Sequence, residues 1–102
     1  MHLVQVLLPV YDNEGHPLSR DLYRDVRGEL AERFGGLTAY TRAPAEGLWL
    51  ESPAATVRDD IVIYEVMTET LDRAWWQAYR RRLETRFRQE HVVIRVQDIE
   101  VL

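Results

Sequence analysis

The chain carries one helical pattern twice, and that repetition limits what it can fold into. Leu22, Tyr23, Val26, Leu30, Arg33 and Phe34 recur 53 residues later as Trp75, Trp76, Tyr79, Leu83, Arg86 and Phe87. At about 100° per residue, the apolar members of each set fall within an arc of about 120°, the width of a stripe that faces a core. Each copy also contains R-x-x-L-x-x-R-F, as RGELAERF and RRRLETRF. Ser19 is a fitting N-cap for a first helix from Arg20 to Phe34, which the pair Gly35-Gly36 then stops. Thr68 or Thr70 is the expected cap of the second, which should end near Gln89.

Strands flank both helices. LVQVLLPVY, Leu3 to Tyr11, is apolar almost throughout and is closed by the turn signal DNEG, so it reads as a central strand. IVIYEVM, Ile61 to Met67, is a second strong strand, and HVVIRVQDI closes the chain as a third. LTAYTR is strand-prone; APAEG is expected to break it and LWLES to resume it. Two β-α-β halves in one chain are what the split βαβ, or ferredoxin-like, α+β fold requires. The expectation is βαββαβ, with a four-stranded antiparallel sheet in the order 4-1-3-2 and both helices on one face. All 102 residues are assigned to a single domain, large enough for one core and not for two.

Helices on one face leave the other bare. Alternation places Val4, Val6, Leu8, Val62, Tyr64, Val66, Val92, Ile94, Val96, Leu37 and Ala39 toward the helices. It turns Leu3, Gln5, Leu7, Thr38, Tyr40, Arg42, Ile61, Ile63, Glu65, Met67, Val93, Arg95 and Gln97 outward. Four strands of ordinary length present roughly 300 Å² of flat face. A monomer seldom leaves such an apolar surface wet, so the expected partner is a second copy, giving a homodimer.

The polar members of that face are the candidate ligand-binding residues. Gln5, Tyr40, Arg42, Glu65 and Arg95 come from four strands, and the 4-1-3-2 order sets Glu65 between Gln5 and the strand of Tyr40 and Arg42. Polar groups converging in an apolar cavity are what a small-molecule site looks like, and a carboxylate beside arginine can orient or deprotonate an acidic substrate. The competing reading is that Glu65 pairs with an arginine across the dimer and specifies assembly. Trp49 joins the candidates as a cap on the pocket mouth or a reach to the partner; otherwise it plugs the end of its own sheet, with Gly47 permitting the turn. Two functions follow: a dimer that binds or converts a small molecule in the interfacial cavity, or a non-catalytic interaction module whose face or edge strand serves a partner protein. Whether the chain is an enzyme is not decided by these residues.

Composition removes other classes. All 13 basic residues are arginine and the net charge is −4, so lysine chemistry is absent and no basic footprint for nucleic acid stands out. The arginines of YRRRLETRFR are diluted by Glu84 and Glu90 and suit a helix C-terminus. Trp75 and Trp76 lie in the apolar stripe and are expected in the core. There is no cysteine, and His2, His16 and His91 have no ligand spacing, so neither a metal nor a cofactor is expected. Asp12 to Gly15 lacks the later glutamate of a calcium loop, and Ser19 and Ser52 sit in no nucleophile elbow. No apolar run approaches a membrane span, the first residues lack a signal-peptide pattern, and a cytoplasmic location is the default.

This pattern resembles the dimeric α+β barrel superfamily, in which two ferredoxin-like subunits pack sheet to sheet and can enclose a pocket; its members include antibiotic-biosynthesis-type monooxygenases, muconolactone isomerases and stress-responsive barrel proteins. Within the chain, RFGGLTAYTRAPAEGLW and YRRRLETRFRQEHVVIRV are similar to a family of small bacterial proteins carrying F-x-G-L-T, a following G-x-W and a C-terminal F-x-Q-E-x-V. The resemblance spans about two thirds of the chain and implies the fold. It brings no activity with it, and no catalytic pattern of the monooxygenases or isomerases can be placed on these residues.

Overall fold

Val4, Val6 and Leu8 are fully buried, while Leu3, Gln5 and Leu7 between them are half-buried, so the first strand is covered well on one side only. The computed structural model describes the backbone of residues 1–52 and 55–102 and the side chains of residues 1–41 and 61–102. Its elements are β1 (His2–Pro9), α1 (Arg20–Phe34), β2 (Thr38–Ser52), β3 (Ala55–Thr68), α2 (Arg73–Arg86) and β4 (Val93–Asp98). Every pairing is antiparallel and the strand order is β2-β3-β1-β4, the expected 4-1-3-2 seen from the opposite edge.

The core lies between this sheet and the two helices. Val4, Val6 and Leu8 of β1 and Val62, Tyr64 and Val66 of β3 meet Val26 and Leu30 of α1 and Trp76, Tyr79 and Leu83 of α2. Phe87 and Val92 close the cluster at the end of α2. The last arginine of each copy of the motif, Arg33 and Arg86, reaches the other helix. Arg33, near the end of α1, lies with its guanidinium 4.1 Å from the ring centre of Trp75 at the start of α2. Arg86, ending α2, grips Glu29 of α1 through two parallel bonds, Nη1 to Oε1 at 2.5 Å and Nη2 to Oε2 at 2.9 Å. The two helices therefore run antiparallel to each other.

The Arg86 guanidinium holds the Glu29 carboxyl below the usual carboxylate range, against the opposing effect of burial, and the Tyr79 hydroxyl adds a hydrogen bond. A carboxyl whose folded value is depressed stabilises the fold above its unfolded value of about 4.3 and stops doing so as pH falls through the folded value. The Glu29 side chain is 37% exposed, so solvent screening keeps the effect at about 1 kcal/mol or less. Glu29→Gln is expected to lower the urea midpoint at pH 7, and the gap to wild type should close below about pH 4. A gap that stays constant down to pH 3 would remove the ion pair from the account.

Several boundaries differ from expectation, each for a local reason. APAEG does not end the strand: β2 runs through it, with a register shift against β3 between Tyr40 and Ala45. β2 is an edge strand, where a proline without an N–H costs no ladder bond on the open side. β2 and β3 stay paired from Ala45↔Ile61 to Ser52↔Ala55, past the last pairing of β1, Pro9↔Ile61. Neither Thr68 nor Thr70 caps α2. Thr68 is still in β3 and donates its hydroxyl to the Thr70 carbonyl, while Asp72 is the cap, accepting from the Trp75 N–H at 3.0 Å. α2 stops at Arg86 rather than near Gln89, because Arg88 turns left-handed (φ 53°) and the Gln89 N–H bonds back to the Glu84 carbonyl. β1 ends at Pro9 instead of Tyr11, which forms only an isolated bridge to Pro17. Ala39 and Val96 lie on the helix side yet are exposed, since they sit on the two edge strands, where the helices cover the sheet incompletely. Ser19 and Gly35 cap α1 as expected, Ser19 accepting from the Asp21 N–H and Gly35 adopting φ 79°.

Candidate functional site

Strand register decides which open-face side chains meet. Thr38 of β2 pairs with Glu65 of β3, Glu65 with Gln5 of β1, and Gln5 with Arg95 of β4, so these four form one row across the whole sheet. Three of them are joined. The Gln5 side-chain Nε2–H donates to Glu65 Oε1 at 2.6 Å, and the Arg95 Nε–H donates to Gln5 Oε1 at 2.7 Å. One amide thus links a carboxylate to a guanidinium, and both contacts require the same orientation of that amide. Charge-assisted bonds of this kind are short and hold long side chains in place.

Apolar rows border this polar one. On one side Tyr40, Ile63, Leu7 and Val93 lie in register; on the other, Met67, Leu3 and Gln97 do. Met67 is 54% exposed, Tyr40 50% and Val93 38%, whereas Val4, Val6, Leu8, Val62, Tyr64 and Val66 on the helix side are buried. Among the described residues the open face is therefore apolar and wet in a single chain, with its charges confined to one line.

Of the sequence candidates, the structure brings Gln5, Glu65 and Arg95 together. It leaves Tyr40 in the neighbouring row, opposite Ile63, with no hydrogen bond to the three among the described residues. Arg42 falls within the register shift of β2 and Trp49 opposite Val57; the side chains of both lie outside the described residues. The three histidines stay apart: His2 Nδ1 is 2.8 Å from Asp98 Oδ1, His16 stands in the loop beside Asp12, and His91 is exposed. Among the described residues no three metal-capable side chains converge, and no helix is long and apolar enough to cross a membrane.

Two clefts open on the helix side. One, of about 210 Å³, runs between α2 and β4 and is lined by Leu71, Arg73, Trp76, Gln77, Arg80, Ile94 and Val96. The other, of about 380 Å³, lies where α1 ends and α2 begins, between Arg33, Phe34, Thr68, Thr70, Asp72, Trp75 and Trp76. Neither contains a residue of the polar row. Sequence reasoning named neither cleft, because parity arguments weigh the sheet and say little about gaps between helices. Two other polar contacts also escaped it. Arg27 donates to the hydroxyl of buried Tyr64 at 3.1 Å, and Tyr23 donates to the Pro9 carbonyl, burial pushing the Tyr23 phenol up to about 12.

No protein-family model matches the chain, and no curated protein does. Solved structures do. A phage SAM lyase in complex with S-methyl-5'-thioadenosine superposes with a TM-score of 0.62 at 16% identity, over 95% of this chain and 80% of that one. The fold is ferredoxin-like α+β. The divalent cation tolerance protein Cut A1 from Thermus thermophilus gives a TM-score of 0.61 at 14% identity, over 97% of this chain and 84% of that one. CutA1 from Pyrococcus horikoshii gives 0.60 at 12%, over 100% and 86%. At such identities the likeness is one of fold.

Proposed function

We propose that this chain is a single ferredoxin-like domain that works as a homodimer, two copies closing over their open sheet faces in the manner of the dimeric α+β barrel proteins it resembles. The observation that carries this reading is the Glu65–Gln5–Arg95 row, a hydrogen-bonded line of charge set in an otherwise apolar, exposed face. Covering that face removes Leu3, Leu7, Ile63, Met67 and Val93 from water, which favours association. The row lets only a matching surface close over it, because a buried charge without a partner is costly. The solution mass of the protein tests the dimer, and replacement of Glu65 tests the row.

A small molecule held between the two sheets is the second reading, favoured by the convergence of an amide, a carboxylate and a guanidinium on one apolar face. Here Gln5, Glu65 and Arg95 are the polar floor, Tyr40 lies in the neighbouring row, Arg42 and Trp49 are further candidates on the same strand as Tyr40, and an acid or phenol is the ligand class. We put assembly ahead of it, because the two clefts among the described residues lie on the far side of the sheet from the row. Neither reading uses a metal or cofactor. We assign the protein to the cytoplasm and give it no nucleic-acid partner, its net charge being −4 and the arginines of α2 partly matched by Glu29 and Glu84. Short RNA and DNA duplexes are expected not to bind at micromolar protein in near-physiological salt; submicromolar, salt-sensitive binding in a filter assay would overturn that assignment.

A further inference from the structure

Resting on the reading that a second copy covers the open face, we propose how that copy sits. The two-fold axis runs along β1, so that Glu65 of each subunit faces Arg95 of the partner subunit.

Among the described residues, charge on this face has a simple layout. Glu65 on β3 and Arg95 on β4 lie in one row, at equal distances on either side of Gln5 on β1. Each is one strand away, about 4.8 Å. In a face-to-face dimer the axis lies between the sheets, and its direction fixes what meets what. An axis along β1 exchanges β3 with β4 and keeps the rows in step. The carboxylate then meets a guanidinium twice, Gln5 meets its own symmetry mate, and the apolar rows meet each other. An axis along the polar row instead sets Glu65 on Glu65 and Arg95 on Arg95, and like charges brought together in an interface repel. Displacing the copy along the strands drives both charges into the rows of Leu3 and Leu7.

The closest competitor slides the copy sideways so that β3 faces β1. It overlaps four strands instead of three, but it leaves Arg95 opposite Thr38 of the partner subunit and Glu65 opposite Gln5 of the partner subunit. A guanidinium buried without a counter-charge costs more than the overlap of one edge strand returns. Aligned sheets pack about 10 Å apart and about 30° askew, a gap that a glutamate and an arginine reaching toward each other span. The contact is isologous, so one complementary pair serves twice.

Charge reversal on separate chains tests this arrangement. Glu65→Arg alone puts two guanidinium groups together, and Arg95→Glu alone puts two carboxylates together; each variant is expected to run at the mass of a single chain. Mixed one to one, each residue 65 meets the opposite charge at residue 95 of the other chain, so the mixture should recover about twice the chain mass in light scattering. Circular dichroism and melting of each variant alone report whether it folds. Should either reversal unfold, Glu65→Gln mixed with Arg95→Gln replaces it; each alone should then dissociate about 100-fold more readily than wild type, or more, and the mixture should recover only in part, one of its two pairs being intact. Folded single reversals that dimerise like wild type, or a mixture that stays monomeric, would overturn the arrangement while leaving the dimer itself standing. A wild-type monomer would instead defeat the reading on which the arrangement rests.

Discussion

Glu65→Gln is expected to weaken dimerisation by about 100-fold or more while leaving each chain folded. The substitution keeps the shape of the side chain, and its amide oxygen can still accept from the Nε2–H of Gln5, so the row within one subunit survives. What it removes is the negative charge. An arginine left in a closed interface without that charge costs on the order of 3 kcal/mol, and each 1.4 kcal/mol is about tenfold in dissociation. Two-fold symmetry applies the loss twice, so 100-fold is a lower figure. Mass against concentration for mutant and wild type reads the effect directly. If Glu65 serves a ligand instead, the mutant should dimerise and melt like wild type and lose only the binding of an acid or phenol found by screening. That outcome would exchange the two readings of the site.

The largest effect on folding is expected at Phe87. Its side chain is fully buried and meets the ring of Tyr23 edge-on, with centroids 5.3 Å apart. Phe87→Ala should cost about 3–5 kcal/mol through lost burial and the cavity left behind. That is a large part of the roughly 5–15 kcal/mol that holds an ordinary domain together. Phe34 occupies the same place in the first copy of the helical motif but is only half-buried, stacked on Trp76 at 5.2 Å. Phe34→Ala should therefore cost distinctly less. Urea denaturation of both variants checks the pair; equal losses would mean that the two halves pack alike, contrary to the burial seen.

The helical repeat was legible because its apolar positions answer to a core, and that core is where Val26, Leu30, Trp76, Tyr79 and Leu83 lie. Strand parity likewise put Gln5, Glu65 and Arg95 on one face before any register was known. Their joining through the Gln5 amide was not legible, since alternation fixes a face and not a partner. Asp72 was hidden behind Thr68 and Thr70, because β3 continues further than its apolar run. Pro44 looks like a breaker, yet an edge strand has a free side on which a missing N–H is harmless, and Gly47 keeps its place opposite Asp59. Glu29 left one trace: its counterpart 53 residues later is Arg82, a change of sign at matched positions of two helices that turn out to lie side by side.

The proposed covering of the bare sheet face by a second copy can be measured without any mutation. Light scattering at micromolar concentration should give, for a chain of 12.0 kDa, about twice that mass, falling toward the chain mass on dilution. A stable, non-aggregating particle of 12.0 kDa, unchanged as concentration rises, would contradict it.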